Sequence, residues 1–401
     1  MTMEEHPPAS LSAEELAQLV ARVFQPGPED HRMSVLVDLP DAATPDTEAW
    51  CTRRHMAASW ATELSRTREV LGLEIVEFIV YRNPRVNNAE LPPTAWRIAP
   101  DELPETADAL SEADAISFEE ILGATDILLA PTQFSATAPL KILARRFPIR
   151  GATMPGFSAA MIPALRLDYA RINQRVSRMK ALCDLADSAE LAFHVSGGAS
   201  YALTLDLRFR EGHASGGLFP SPGQIGNLPS GEAYIVPYEG ELPGEPSRSV
   251  GNLPVQLGDE VLVYRIEANR AVSVAAVDAT QSAVELAARE GEAIVREPAY
   301  ANLAELGLGV LGDFGLAPTG EILLDEKLGL HIAFGRSDHF GGAVGPLDFS
   351  CPEAVIHIDR VYVPALQPRV EVLCLDLCGE GLGTGRLPVM RDGVFVLDFE
   401  G

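Results

Sequence analysis

The sequence is short of positive charge, of cysteine and of long apolar runs, and each shortage removes a class of function. Lysine and arginine number 31 against 57 aspartates and glutamates, a formal net charge of −26. Nucleic acid and anionic membrane surfaces would be repelled by such a chain, so neither is expected as a partner. No stretch reaches the roughly 18 consecutive apolar residues of a membrane-spanning helix. The opening Met1-Thr-Met-Glu-Glu-His6 lacks the basic and apolar regions of a secretory leader. The five cysteines (Cys51, Cys183, Cys351, Cys374 and Cys378) are odd in number and scattered. They make no disulfide framework, and a reduced, cytoplasmic protein is expected. Cys374 and Cys378 have no matching pair elsewhere and read as buried thiols, not as a zinc site. The sequence shows no internal repeat and no low-complexity tract.

What is present reads as two domains, divided near residue 160 (1–160 and 161–401). Ser12-Ala-Glu-Glu15 is a capping-box signature, followed by Leu16, Leu19, Val20 and Val23 at helical spacing. Strands are predicted at Ser34–Val37, Ile75–Val80, Asp126–Ala130 and Arg150–Met154. Helices are predicted over about Thr47–Leu71, from a cap at Ser117, and over Pro139–Phe147; residues 83–105 read as a loop. Strands alternating with helices, and apolar enough to be buried on both faces, predict a Rossmann-like α/β domain with a parallel sheet. No G-x-G-x-x-G opens any of these helices, so no dinucleotide is implied. A long helix is predicted over about Ala159–Ala189. Beyond it, short strands broken by Gly and Pro predict a β-rich α+β domain. They fall at Leu191–Val195, Tyr201–Arg208, Ala233–Val236, Glu260–Ile266, Val272–Val277, Gly320–Leu324, His331–Phe334, Ala354–His357, Val370–Leu375 and Gly393–Leu397. One helix, about Ser282–Arg289, interrupts them.

The chain has eight histidines, and three of them (His331, His339 and His357) fall between His331 and Asp359. Imidazole and carboxylate are ligands of first-row transition metals. In His357-Ile-Asp359 the two polar residues sit two apart, so on a strand both face one way. The plain alternative is a set of solvated or hydrogen-bonded polar residues. Glu305, in the apolar context Leu303-Ala-Glu-Leu-Gly-Leu, is a carboxylate that would be costly to bury without a partner, and a metal would supply one. His194 and His213 have no paired ligand nearby and read as structural. Lys327 reads as the partner of a neighbouring acid.

Four segments, in order, resemble the aminopeptidase T family of thermophilic, two-metal aminopeptidases. They are Asn227-Leu-Pro-Ser-Gly-Glu232, Asn302-Leu-Ala-Glu305-Leu-Gly-Leu-Gly309, Asp325-Glu-Lys327 with His331-Ile-Ala-Phe-Gly335, and His357-Ile-Asp359. Met154-Pro-Gly156 matches a fifth. The likeness covers about residues 126–362. It implies that Glu232, Glu305, His331, His357 and Asp359 hold two divalent ions (Zn, Co or Mn), with Glu305 able to bridge them. Where the family has a tyrosine, seven residues after its first histidine, this chain has Asp338 with His339 beside it. Those two are the candidate catalytic pair, for oxyanion stabilisation or proton donation, with Asp338 alternatively an oxygen ligand in place of the phenol and His339 an extra ligand.

The resemblance implies a cytoplasmic, homodimeric leucyl-aminopeptidase-like hydrolase, a metalloprotease acting on peptide or small-molecule substrates. Its chemistry would be a two-metal-activated water attacking an N-terminal peptide bond. A rival uses fewer residues: His331, His357 and Asp359 make a two-histidine, one-carboxylate set for a single Fe(II). The ring-opening dihydroxypyridine dioxygenases, which resemble the same family, use such a triad. Two additional carboxylates, Glu232 and Glu305, argue against it. A third possibility is a non-catalytic relative that kept a structural metal.

Overall fold

The computed structural model describes residues 10–399; Met1–His6, read above for its lack of a leader, lies outside them. The chain opens with α1 (Ala13–Phe24), β1 (Arg32–Leu39), α2 (Glu48–Thr67) and β2 (Ile75–Arg82). Next come β3 (Thr94–Ile98), β4 (Ile116–Ser117), α3 (Phe118–Ala124), β5 (Ile127–Ala130), α4 (Thr137–Leu143) and β6 (Arg150–Thr153). Two helices follow, α5 (Ile162–Leu165) and α6 (Tyr169–Asp184), and then β7 (Ser188–Val195), β8 (Ser200–Asp206), β9 (His213–Ser215), β10 (Ile225–Asn227) and β11 (Glu232–Ile235). The strands β12 (Val250–Leu257), β13 (Glu260–Glu267) and β14 (Arg270–Ala276) precede α7 (Gln281–Arg296) and β15 (Leu303–Gly309). The last elements are α8 (Ile322–Asp325), β16 (Leu330–Gly335), β17 (His357–Val361), β18 (Val370–Cys378), β19 (Arg386–Arg391) and β20 (Val394–Phe395).

Two compact units are formed. Among the described residues, the first comprises 10–173, Ser215–Ser230 and Thr319–Leu324; the second comprises Gln174–Ala214, Gly231–Pro318 and 325–399. A single cut near residue 160 therefore does not describe them, because the chain re-enters the first unit twice. β10 is one such return: it pairs in parallel with β6.

The first unit is the expected α/β fold. Its sheet runs β10-β6-β5-β1-β2-β3-β4, parallel from β10 to β2 and antiparallel at the β3–β4 edge. β1 is buried along all but its first residue, as a strand covered on both faces must be. The α1 capping box is made as expected: Ser12 Oγ accepts from Glu15 N, and Glu15 Oε2 accepts from Ser12 N. Arg150, at the start of β6, donates twice to Asp30 at 2.7 Å and also to the Phe24 carbonyl.

The second unit is built on antiparallel sheets. Eight strands run in the order β14-β13-β12-β8-β7-β18-β19-β20, and five more in the order β17-β16-β15-β11-β9. No helix among the described residues is long and apolar enough to cross a membrane.

Several sequence expectations are corrected. Gly320–Leu324 is no strand: Ile322–Asp325 is a helical turn that buries Leu323 and Leu324 and leaves Ile322 exposed. A short apolar run carries no period to tell the two apart. The expected strand Ala354–His357 starts only at His357, after a 3-10 turn at Pro352–Ala354. The long helix over 159–189 is broken; Asp168 Oδ1 accepts from Ala170 N and Arg171 N as α6 begins, and by Ser188 the chain is a strand. The loop 83–105 contains β3, which buries Ala95 and Trp96. Ser117 precedes α3 without a side-chain cap bond. Cys374 and Cys378, read as buried, are half-buried.

Arg150 is the test of the first unit's packing, because its removal strands Asp30. Arg150→Met should destabilise by about 3 kcal/mol. The shift in the urea midpoint measures it.

Candidate metal centre

The five-stranded sheet sets out the site by register alone. Glu232 pairs with Gly309; Tyr234 pairs with Gly307, which pairs in turn with His331. Glu305 pairs with Ala333, which pairs with Asp359, and Gly335 pairs with His357. Directly paired residues project from the same face of a sheet, and alternate residues along a strand share that face. One face therefore carries Glu232, Glu305, His331, His357 and Asp359, separated by glycine and alanine. The opposite face carries Leu306, Leu308, Ile332 and Phe334, all buried. The small residues make room. A methyl group on Gly307 would overlap the His331 ring, and one on Gly309 would overlap the Lys327 backbone.

Glu305 sits at the centre of the cluster. Its Oε1 lies 3.2 Å from His331 Nε2 and its Oε2 lies 3.3 Å from His357 Nε2. Asp359 Oδ1 is 3.5 Å from His357 Nε2, and Glu232 Oε2 is 3.6 Å from His331 Nε2. Two triads thus share Glu305: Glu232–Glu305–His331, wholly buried, and Glu305–His357–Asp359, half-buried at its histidine and aspartate. Within each triad one ligand atom per residue lies within 4.8 Å of the others.

Three observations fit this donor set to cations. Glu232 Oε2 is shut from solvent and has no hydrogen-bond partner. His357 Nδ1 lies 2.7 Å from the Arg336 carbonyl, and His331 Nδ1 lies 3.4 Å from the Gly329 carbonyl. Donation to those carbonyls leaves each Nε2 as a lone pair, the tautomer and orientation that metal-binding histidines need. Each lone pair then faces carboxylate oxygens, an arrangement that requires a positive charge between them.

Protons can supply that charge when metal does not. Burial disfavours the charged form of His331, but the hydrogen bond to Glu305 and the charges of Glu305, Glu232 and Asp359 hold its pKa up at about 9. His357 is likewise raised against burial by Asp359 and Glu305. Burial would raise Glu305, yet hydrogen bonds from the two histidines hold it far below the ordinary carboxylate range. Beside the buried triad, Lys327 donates to Glu232 Oε1 at 2.6 Å and also to Glu326. Those two acids keep its buried ammonium charged. Burial pushes Glu326 up to about 8 against the pull of Lys327. Lys327 is thus paired with acids, as its sequence context suggests.

The candidate catalytic pair lies at the rim and outside both triads. Asp338 faces the Arg336 guanidinium through both carboxylate oxygens, which outweighs burial and keeps its pKa low. Its Oδ1 is 3.6 Å from His339 Nδ1. The His339 ring stands edge-on to His357 at 5.3 Å. Desolvation, then the charges of His357 and Arg336, holds His339 below its ordinary pKa. His194 lies 3.3 Å from Ser200 Oγ, and His213 Nε2 lies 2.9 Å from the Phe340 carbonyl.

Sequence reasoning missed the support around the cluster. The Glu239 side chain, 3% exposed, accepts from Ser337 Oγ and Asn302 Nδ2 at 2.6 Å each and from Ala343 N. It thereby pins both ends of the segment bearing Asp338 and His339. Tyr234 and Phe340 also adjoin the site. Tyr234 could have been found, since it stands two residues after Glu232 and so shares its face once that segment is read as a strand.

No protein-family model matches the sequence, and no curated protein sequence matches it. Among solved structures, the chain is similar to 2,5-dihydroxypyridine dioxygenase from Pseudomonas putida KT2440. The two are 14% identical with a TM-score of 0.57, over 97% of this chain and 99% of that one. It is also similar to wild-type AmpT from Thermus thermophilus, 17% identical with a TM-score of 0.50, over 96% of this chain and 99% of that one. At these identities the likeness shows a shared fold.

Three outcomes follow from the geometry. Metal uptake must displace the protons on His331 and His357. Calorimetric titration of metal-free protein with Zn²⁺ at pH 7.5 should therefore release protons, and affinity should rise with pH up to about 9. In the metal-free protein the contribution of the His331 proton to stability has the opposite trend. It is fully present below pH 6.5 and fades as pH rises through about 9. Gly307→Ala should cut metal content while leaving the far-ultraviolet circular dichroism unchanged, because the atoms nearest the added methyl are those of the His331 ring.

Proposed function

We propose that the chain is a metal-dependent hydrolase of aminopeptidase type, cleaving N-terminal peptide bonds. The observation that carries this reading is the Glu305 carboxylate, whose two oxygens face two different histidines, each backed by a further carboxylate. A single ion has no use for that symmetry. Glu232 and His331 would hold one cation and His357 and Asp359 the other, with Glu305 shared. Two such cations would supply an ionised water near neutral pH and polarise an amide carbonyl.

The protein's own groups supply the rest. Lys327 keeps Glu232 turned so that Oε2, not Oε1, faces the histidine. His339, neutral at pH 7 and at the exposed side of the cluster, would take the proton released by the attacking water and pass it to the departing amine. Asp338, itself anchored by Arg336, stands 3.6 Å from Nδ1 of that ring and would favour its imidazolium form by charge. The acidic surround suits the free ammonium of a peptide N-terminus.

A second reading has its own support. His331, His357 and Asp359 supply two imidazoles and a carboxylate, and Lys327 already neutralises Glu232, so one Fe(II) could suffice for a ring-opening dioxygenase. Of the two similar structures described above, one is an aminopeptidase and the other a dioxygenase.

Elemental analysis and activity decide between the readings. The hydrolase reading expects close to two Zn, Co or Mn per chain and turnover of aminoacyl p-nitroanilides. Glu305→Gln should lower kcat/KM more than about a hundredfold, several kcal/mol of metal-derived stabilisation being lost. One iron per chain, with oxygen uptake on a dihydroxylated heteroaromatic and no amide turnover, would replace it with the dioxygenase.

A further inference from the structure

Beside the cluster stands a row of rings, of which His213, Tyr234 and Phe340 have no part in either proposed reaction. His213 stacks on Tyr234 with centroids 5.0 Å apart and planes 22° apart. Tyr234 meets Phe340 at 4.7 Å, and Phe340 meets His357 at 5.6 Å, edge to face. His339 closes the row against both Phe340 and His357. The row thus runs unbroken from β9 to the outer triad. Tyr234 shares the site's face by register, being paired with Gly307 in line with His331.

Two further features separate this row from a buried core. His213, Tyr234 and Phe340 are each only half-buried and His339 is exposed, so the rings keep surface that nothing in the fold covers. The row is also held rigid. The His213 ring nitrogen lies 2.9 Å from the Phe340 carbonyl, and Glu239 ties down Ser337 and Ala343 on either side of Phe340. At Gly342 a side chain would strike Ser337, so the turn closes only with glycine there. A fixed, partly bare aromatic surface beside a cluster of metal ligands is suited to receiving a flat apolar group.

We propose that this row is the selectivity surface of the site and that it takes an aromatic ring of the substrate. The inference rests on the metal-centre reading above. Under the hydrolase reading the ring is the side chain of an N-terminal Phe, Tyr or Trp. Under the dioxygenase reading it is the substrate's own heteroaromatic ring. Both would lie against Phe340 and Tyr234, edge-on or offset, with the reacting atoms towards His357.

The test compares matched aromatic and aliphatic probes on metal-loaded full-length protein. L-phenylalanine p-nitroanilide should exceed L-leucine p-nitroanilide in kcat/KM by roughly tenfold, the scale of one to two well-placed ring contacts. In Phe340→Ala and Tyr234→Leu that ratio should fall towards one. Metal content in both variants, measured alongside, shows whether the site has stayed assembled. Phe340→Leu, which keeps bulk without a ring, should also lose the ratio. If no p-nitroanilide is cleaved, calorimetry with a dihydroxylated pyridine and with L-leucine takes over. Tight binding of the pyridine, weakened roughly tenfold in Phe340→Leu, would uphold the surface while removing the hydrolase reading. Equal treatment of aromatic and aliphatic probes in both assays, or an aromatic preference unchanged in all three variants, would overturn the proposal.

Discussion

A buried carboxylate between two imidazoles is the constraint from which the rest of the second unit's architecture follows. Glu305 lies on β15, the middle strand of its sheet, and is 4% exposed. An unpaired ionised group there would cost several kcal/mol. The fold therefore has to bring positive charge to both of its oxygens, and it does so from two successive strands on one side. β16 delivers His331 and, beyond it, β17 delivers His357 together with Asp359. β11 brings Glu232 from the other direction.

That arrangement dictates composition over a wide area. Along β16, and along β15 from Glu305, a ligand or a small residue alternates with a large apolar one. The ligand face can then hold polar side chains close together while the opposite face packs as core. Gly307 is small because the His331 ring lies over it, and Gly309 because the Lys327 backbone does. Lys327, 1% exposed, answers the charge of Glu232 and also donates to Glu326. A second tier, centred on Glu239, fixes the segment that lines the exposed side. The closed triad and the open one consequently differ in kind. One is sealed within the sheet, and the other looks outward past His339 and Phe340.

Much of this was legible in the sequence, though unevenly. The α/β alternation of the first unit could be read because its helices carry full amphipathic periods and caps, as at Ser12–Phe24. The identities of Glu232, Glu305, His331, His357 and Asp359 came from the order of four motifs, and the fold places all five on one face. β15 escaped notice as a strand because two of its seven residues are glycine, a poor strand former whose presence here reflects a neighbouring ring. Tyr234 and Phe340 escaped because rings at unrelated positions acquire meaning only once register sets them in a row. Asp338 was legible as a departure from the family pattern, but its partner, Arg336 two residues earlier, was not.

The central claim is that Glu305 is shared by two cations. Crystals of metal-loaded protein, measured at the absorption edge of the resident metal, test it directly through the anomalous difference map. The account predicts two peaks about 3.5–4 Å apart, one beside each Glu305 oxygen. A single peak among His331, His357 and Asp359, with Glu232 still turned to Lys327 alone, would contradict it.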